Sequence, residues 1–122
     1  MRKALVVDDE LDIGLMLTNH LRKCKFEPIY ASNVKEAKLK IAAHTFELIF
    51  LDLNLTDGSG YDVINYSNEL ILNPKIIVIS AYDNEESKAI MMGATLFIKK
   101  PFTLKLIDDA LETLYFMQTS NR

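Results

Sequence analysis

The chain has 122 residues, 49% hydrophobic and 25% charged, with 14 basic and 17 acidic side chains for a net charge of −3. That length and mixture describe one globular domain with enough apolar material for a core. Its short apolar runs fall below the ~18 residues of a membrane span, Asp8, Asp9 and Glu10 interrupt any signal-peptide core, and the acidic balance offers no footprint for direct nucleic-acid contact. The expected location is the cytoplasm, with no membrane partner. The single cysteine, Cys24, has no partner for an internal disulfide and is expected to be a reduced residue at a helix end.

Taken in chain order, a first apolar run at residues 4–7 stops at Asp8-Asp9. Ile13, Leu17 and Leu21 then repeat at helical spacing, and His20, on the same face, reads as structural. The run at 26–31 carries Glu27 and Pro28, which suits an edge strand because proline cannot donate to a ladder. Asn33 with Glu36 marks a helix start; Val34, Ala37 and Ile41 continue that helix, and His44 ends it, again a structural histidine. The run at 48–53 contains Asp52, and the run at 76–79 stops at Ser80. Asp83 with Glu86 marks another helix start. The run at 95–98 leads into Lys99 and Lys100 and is the second edge candidate, and Leu104, Ile107, Leu111 and Leu114 form the stripe of a last helix.

Five strand–helix units of about 24 residues each fit this length. Alternation of that kind predicts an α/β fold: a five-stranded parallel sheet with helices on both faces. With strands two and five outermost, the pattern is consistent with the flavodoxin-like order 2-1-3-4-5; it leaves the order of the inner strands open. No linker, repeat or low-complexity segment interrupts it.

In open α/β sheets the site lies beyond the carboxyl ends of the strands. Here those ends carry Asp8, Asp9, Asp52, Ser80 and Lys100. Each alone could be a cap or turn former; together they predict one rim with three carboxylates, a hydroxyl and an ammonium. Crowded carboxylates resist ionisation unless a cation joins them, and Mg2+ prefers a few carboxylates with water and phosphate oxygens. A lysine and a hydroxyl beside the ion suit phosphoryl transfer, in which a carboxylate can be the nucleophile. Asp52, ending the central run, is the candidate.

On the segments Val-Val-Asp8-Asp9-Glu10, Phe-Leu-Asp52-Leu-Asn54, Asp57-Gly58-Ser59-Gly60, Ile-Ser80-Ala81-Tyr82 and Phe97-Ile-Lys-Lys100-Pro101-Phe102, the chain resembles the receiver domain of two-component response regulators, over a core of about residues 3–117 of one domain spanning 1–122. The resemblance implies a phosphoacceptor switch rather than an enzyme with a foreign substrate, promoting only its own phosphorylation and slow autodephosphorylation. Asp52 would take a phosphoryl group from a histidine on a sensor kinase or histidine phosphotransfer protein. Asp9 and Asp52 would hold Mg2+ with the Asn54 backbone carbonyl, Asp8 acting through water, and Lys100, before a cis peptide to Pro101, would bind a phosphoryl oxygen. Ser80 would turn toward the phosphoryl group and Phe97 into the space vacated. Asn54 and Tyr82 would tune dephosphorylation. The readout would lie on the fourth helix, fifth strand and fifth helix, with Met91, Met92 and Lys99 as contacts to a downstream protein target, on a face able to support phosphorylation-dependent dimerisation.

Two departures stand out: Thr56 replaces the proline common four residues after the acceptor, and Ser80 replaces the commoner threonine while keeping the hydroxyl. The alternatives are a phosphorylation-independent binding module, which would typically have lost part of the Asp52–Lys100–acid set, and an Asp-nucleophile phosphatase, which would need an acid where Asn54 stands. No output domain is expected within these residues, since only Gln-Thr-Ser-Asn-Arg follows Met117.

Overall fold

The computed structural model describes the backbone of residues 2–120 and the side chains of residues 2–115; the end of the expected core at Met117 therefore lies beyond the described side chains. The strands of the main sheet are β1 (Arg2–Val7), β2 (Phe26–Ala31), β3 (Leu48–Asp52), β6 (Lys75–Ser80) and β7 (Leu96–Lys99). The helices are α1 (Leu11–Lys23), α2 (Val34–Ala43), α3 (Gly60–Glu69), α4 (Glu86–Met92) and α5 (Leu104–Ser120). A short antiparallel pair, β4 (Asn54–Leu55) with β5 (Gly58–Ser59), lies between β3 and α3. The five long strands pair in parallel in the order β2-β1-β3-β6-β7. Counting only those strands, this is the expected 2-1-3-4-5, with the proline-bearing and lysine-bearing strands at the edges.

The inner strands are apolar throughout because both faces are covered. Strand alternation divides their side chains: Leu5, Val7, Ile49, Leu51, Ile76 and Val78 pack with α2, α3 and α4. Ala4, Val6, Leu48, Phe50, Ile77 and Ile79 pack with Leu17 and Leu21 of α1 and Ile107, Leu111 and Leu114 of α5. Each fully buried Leu or Ile contributes about 1.5–3 kcal/mol relative to exposure, so this double layer rigidly fixes where the strand ends lie.

Local signals account for the turns. Asn33 accepts from the Glu36 N–H as expected, but Glu36 reaches back to Ser32 rather than to its cap. The expected cap at Asp83 does not form. Residues Asp83–Glu85 make a 3-10 turn, α4 begins after Glu85 without a side-chain cap, and the Asp83 carboxylate instead lies 3.6 Å from Lys99 Nζ. The α3 start, which the sequence pattern missed, is a capping box of Ser59 and Asp62. Asp57 accepts from the N–H groups of Val34 and Lys35, fastening the β4–β5 turn to α2.

Gly60 opens α3 against β3: its N–H donates to Leu53 O at 2.9 Å. A Cβ there would stand 2.5 Å from Asp52 O and 2.9 Å from Leu53 Cα. Since backbone rather than a flexible side chain would have to move, Gly60→Ala is expected to lower unfolding free energy by about 1–3 kcal/mol. Urea denaturation with an unchanged m-value measures this.

Candidate functional site

The parallel sheet places the carboxyl ends of β1, β3, β6 and β7 side by side, and the expected rim residues converge there. Asp8, Asp52 and Ser80 are buried, whereas Asp9, Asn54 and Tyr82 are exposed. The backbone orients both buried carboxylates. Asp8 Oδ1 accepts from the Glu10 N–H at 2.8 Å, and Asp52 Oδ1 accepts from the Asn54 N–H at 3.1 Å. The Tyr30 hydroxyl donates to Asp8 O at 2.6 Å from the neighbouring strand.

Their second oxygens share one cation. Lys100 Nζ lies 3.2 Å from both Asp8 Oδ2 and Asp52 Oδ2, and 3.4 Å from Glu10 Oε2. The contact to Asp52 is a hydrogen bond; the approach to Asp8 is an ion pair only, leaving Asp8 Oδ2 a buried acceptor without a hydrogen bond. The Lys100–Pro101 peptide is cis, and the Lys100 N–H donates to Ser80 O at 2.8 Å.

One ammonium against two buried carboxylates does not balance. Burial pushes the Asp8 carboxyl above its ordinary pKa, with the Asp52 charge adding to it, and burial does the same to Asp52 despite Lys100. For Lys100, burial acts downward, but the Asp52 and Asp8 charges outweigh it and raise its pKa. The pairing therefore secures the lysine charge more fully than either carboxylate charge.

One oxygen from each of Asp8, Asp9 and Asp52 lies within 4.8 Å of the other two. An all-oxygen set with a surplus of negative charge, in which buried Asp8 Oδ2 is met only by the shared Lys100 ammonium, fits a hard divalent cation such as Mg2+.

Ser80 Oγ accepts from the Tyr82 N–H at 3.1 Å. Val78 lies two residues before Ser80 and so shares its face, and Phe97 is paired with Val78; Phe97 packs into the core on that face one pleat away from Ser80. Met91 is 86% exposed, while Met92 packs against the core. Neither histidine is among the rim residues: His20 bonds Asp108 and His44 bonds Lys3. Sequence reasoning gave no role to Glu10 and missed Tyr30. Adjacency to Asp8-Asp9 could have flagged Glu10; nothing local flags a tyrosine one strand away.

Residues 4–112 match the response regulator receiver domain family. The chain is 35% identical over 92% of its length to the response regulator protein PilR of Pseudomonas aeruginosa, covering 26% of that protein. It is 38% identical over 88% of its length to the sensory transduction protein LytR of Staphylococcus epidermidis, covering 44% of it. The chain thus spans less than half the length of these curated relatives. Among solved structures it is similar to response regulator TrrA from Thermotoga maritima in complex with Mg2+–BeF, with 28% identity, a TM-score of 0.83 and coverage of 93% of this chain and 99% of that one.

The raised carboxyl values carry a sign. The folded state favours protonated Asp8 and Asp52, so their contribution to stability is full below the unfolded carboxylate pKa and is lost as pH rises through the higher folded values. At neutral pH and without divalent cation, Asp52→Asn is expected to raise Tm by a few degrees, about what 1 kcal/mol produces in a domain of this size. Millimolar Mg2+ should raise the Tm of the unsubstituted protein and shift that of the variant much less. Calorimetry at pH 5 and pH 7.5, with and without Mg2+, measures both effects.

Proposed function

The chain belongs to the response regulator receiver domain family, and from that premise we propose that it is a Mg2+-dependent phosphoacceptor switch with Asp52 as acceptor. The observation that carries this reading is the buried Asp52 carboxylate held between the Asn54 N–H and Lys100 Nζ at the edge of an acidic cluster. Asp9, Asp52 and the Asn54 carbonyl, with Asp8 through water, would hold Mg2+. When bound, the ion would neutralise surplus carboxylate charge and charge on phosphoryl oxygens.

The donor is a phosphohistidine on a sensor kinase or phosphotransfer protein. An Asp52 oxygen attacks phosphorus as the P–N bond breaks, and the bond's electrons leave on the imidazole nitrogen of the donor. The hydrogen bond from the Asn54 N–H fixes the carboxylate plane, and Lys100 turns from its carboxylates to a phosphoryl oxygen, where charge accumulates. The response uses the shared face of Ser80 and Phe97. The Ser80 hydroxyl rotates from the Tyr82 N–H toward the new phosphoryl oxygens, and Phe97 moves from its half-buried seat into the vacated space. α4, β7 and α5 then present a changed surface, with exposed Met91 and Lys99, to a protein target or a second receiver. Asn54 and Tyr82, exposed beside Asp52, control water access and hence phosphoryl lifetime. The cytoplasm is the location consistent with such a donor, and no helix among the described residues is long and apolar enough to cross a membrane.

Incubation with Mg2+ and acetyl phosphate, followed by intact-mass measurement, tests this. One hydroxylamine-labile phosphoryl adduct is expected, absent in Asp52→Asn and after chelation of Mg2+. In Lys100→Ala the adduct should form about 10²–10³-fold more slowly. An adduct that persists in Asp52→Asn would sink the assignment.

A further inference from the structure

A second cluster, away from the carboxylate rim, joins three different donor types. His20 lies in the last turn of α1 and Cys24 at its C-cap, one helical turn apart, and Asp108 faces them from α5 on the same side of the sheet. A ring nitrogen of His20, the Cys24 sulfur and an Asp108 carboxylate oxygen all lie within 4.8 Å of one another. His20 Nε2 and Asp108 Oδ1 are 2.6 Å apart. The His20 side chain is 15% exposed and that of Asp108 55%, so the cluster has a packed floor and an open side.

We propose that His20, Cys24 and Asp108 form a binding site for a borderline-soft divalent cation of the zinc class. Zinc takes nitrogen, thiolate and carboxylate ligands at about 2.0–2.3 Å, so donors around a tetrahedral ion stand roughly 3.3–3.8 Å apart. The three donor atoms, none more than 4.8 Å from another, already stand within about 1.5 Å of that spacing. The His20 Nε2 that now donates to Asp108 gives up its hydrogen before it can ligate, the ring taking its Nδ1–H tautomer, or an imidazolium losing the Nε2 proton to solvent, so that a lone pair faces the ion; the open side leaves a fourth position for water. As the metal–sulfur bond forms, the Cys24 thiol proton passes to solvent, with no change of oxidation state.

A histidine–aspartate pair that merely tied α5 to α1 would require no sulfur within the same few ångströms. Donor chemistry also separates the two sites. The rim is all oxygen and suits hard Mg2+; a thiolate–imidazole pair disfavours Mg2+ and favours zinc-like ions. A bound ion would clamp the end of α1 to the first half of α5.

Cobalt(II) is the probe, added to the metal-free full chain. The expected result is the intense visible d–d spectrum of tetrahedral cobalt with a near-ultraviolet thiolate charge-transfer band, saturating at one ion per chain and bleached by Zn2+. Cys24→Ser should remove the charge-transfer band, and His20→Ala should weaken affinity about tenfold or more. Asp52→Asn should leave the band intact, because an all-oxygen site gives only weak octahedral absorption. In the unsubstituted protein, where no folding defect can intervene, Zn2+ should slow alkylation of Cys24 about tenfold or more. The proposal is overturned by absence of the charge-transfer band, its survival in Cys24→Ser, saturation at one ion per two chains, or alkylation unchanged by Zn2+.

Discussion

The arrangement at the sheet edge turns on a single ammonium shared between two buried carboxylates. Lys100 Nζ stands equally far from Asp8 and Asp52, with Glu10 slightly beyond. Ion pairs of this kind are costly to bury and are justified by what they hold in place more than by their stability. Here the imbalance is chemically useful, because a site that carries more negative charge than it can neutralise has an intrinsic demand for a cation and for an electrophile. The phosphoacceptor reading follows from that demand.

Everything that keeps the imbalance in place comes from the sheet. Hydrophobic side chains alternate between two covered faces of β1, β3 and β6, fixing strand register so that Asp8 follows the pair Val7–Leu51 beside Asp52, and Ser80 stands one residue beyond the partner of Asp52. Gly60 lets α3 start directly against the backbone of Asp52 and Leu53, and Asp57 fastens the intervening turn to α2. The same alternation sets Ser80 and Phe97 on one face, along which the proposed switch would pass a change at the rim toward α4. Transmission of this kind relies on packed side chains having two discrete arrangements rather than on a soft hinge.

The two helices on the opposite face add a different kind of chemistry. α1 and α5 become neighbours only because both lie against the Phe50 side of the sheet, and their contact assembles nitrogen, sulfur and oxygen donors from residues 20, 24 and 108. Cys24, read alone, is an ordinary half-buried helix-end thiol, and His20 an ordinary structural imidazole. Set beside Asp108, they form a cluster whose donor types complement those of the rim, so one small domain would sort cations by hardness at two separated places.

Much of the fold was legible in the sequence because its signals are local or periodic. Apolar runs marked the five long strands, Pro28 and Lys99-Lys100 marked the edges, and polar residues ending those runs marked the rim, since a buried strand can release a charged side chain only at its end. The β4–β5 pair was too short to announce itself. The α4 start moved because Asp83 found Lys99 across the fold instead of capping its own helix. What only the tertiary structure decided were relations between side chains on different elements: Lys100 divided between Asp8 and Asp52, Tyr30 pinning the backbone of Asp8, and Asp108 meeting His20. The sequence by itself determined which residues would stand at strand ends, since periodicity and burial act over a few residues. Which of them touch, and how far their charges fall short of balance, depends on sheet order and helix packing, which bring together residues as distant in sequence as Asp8 and Lys100.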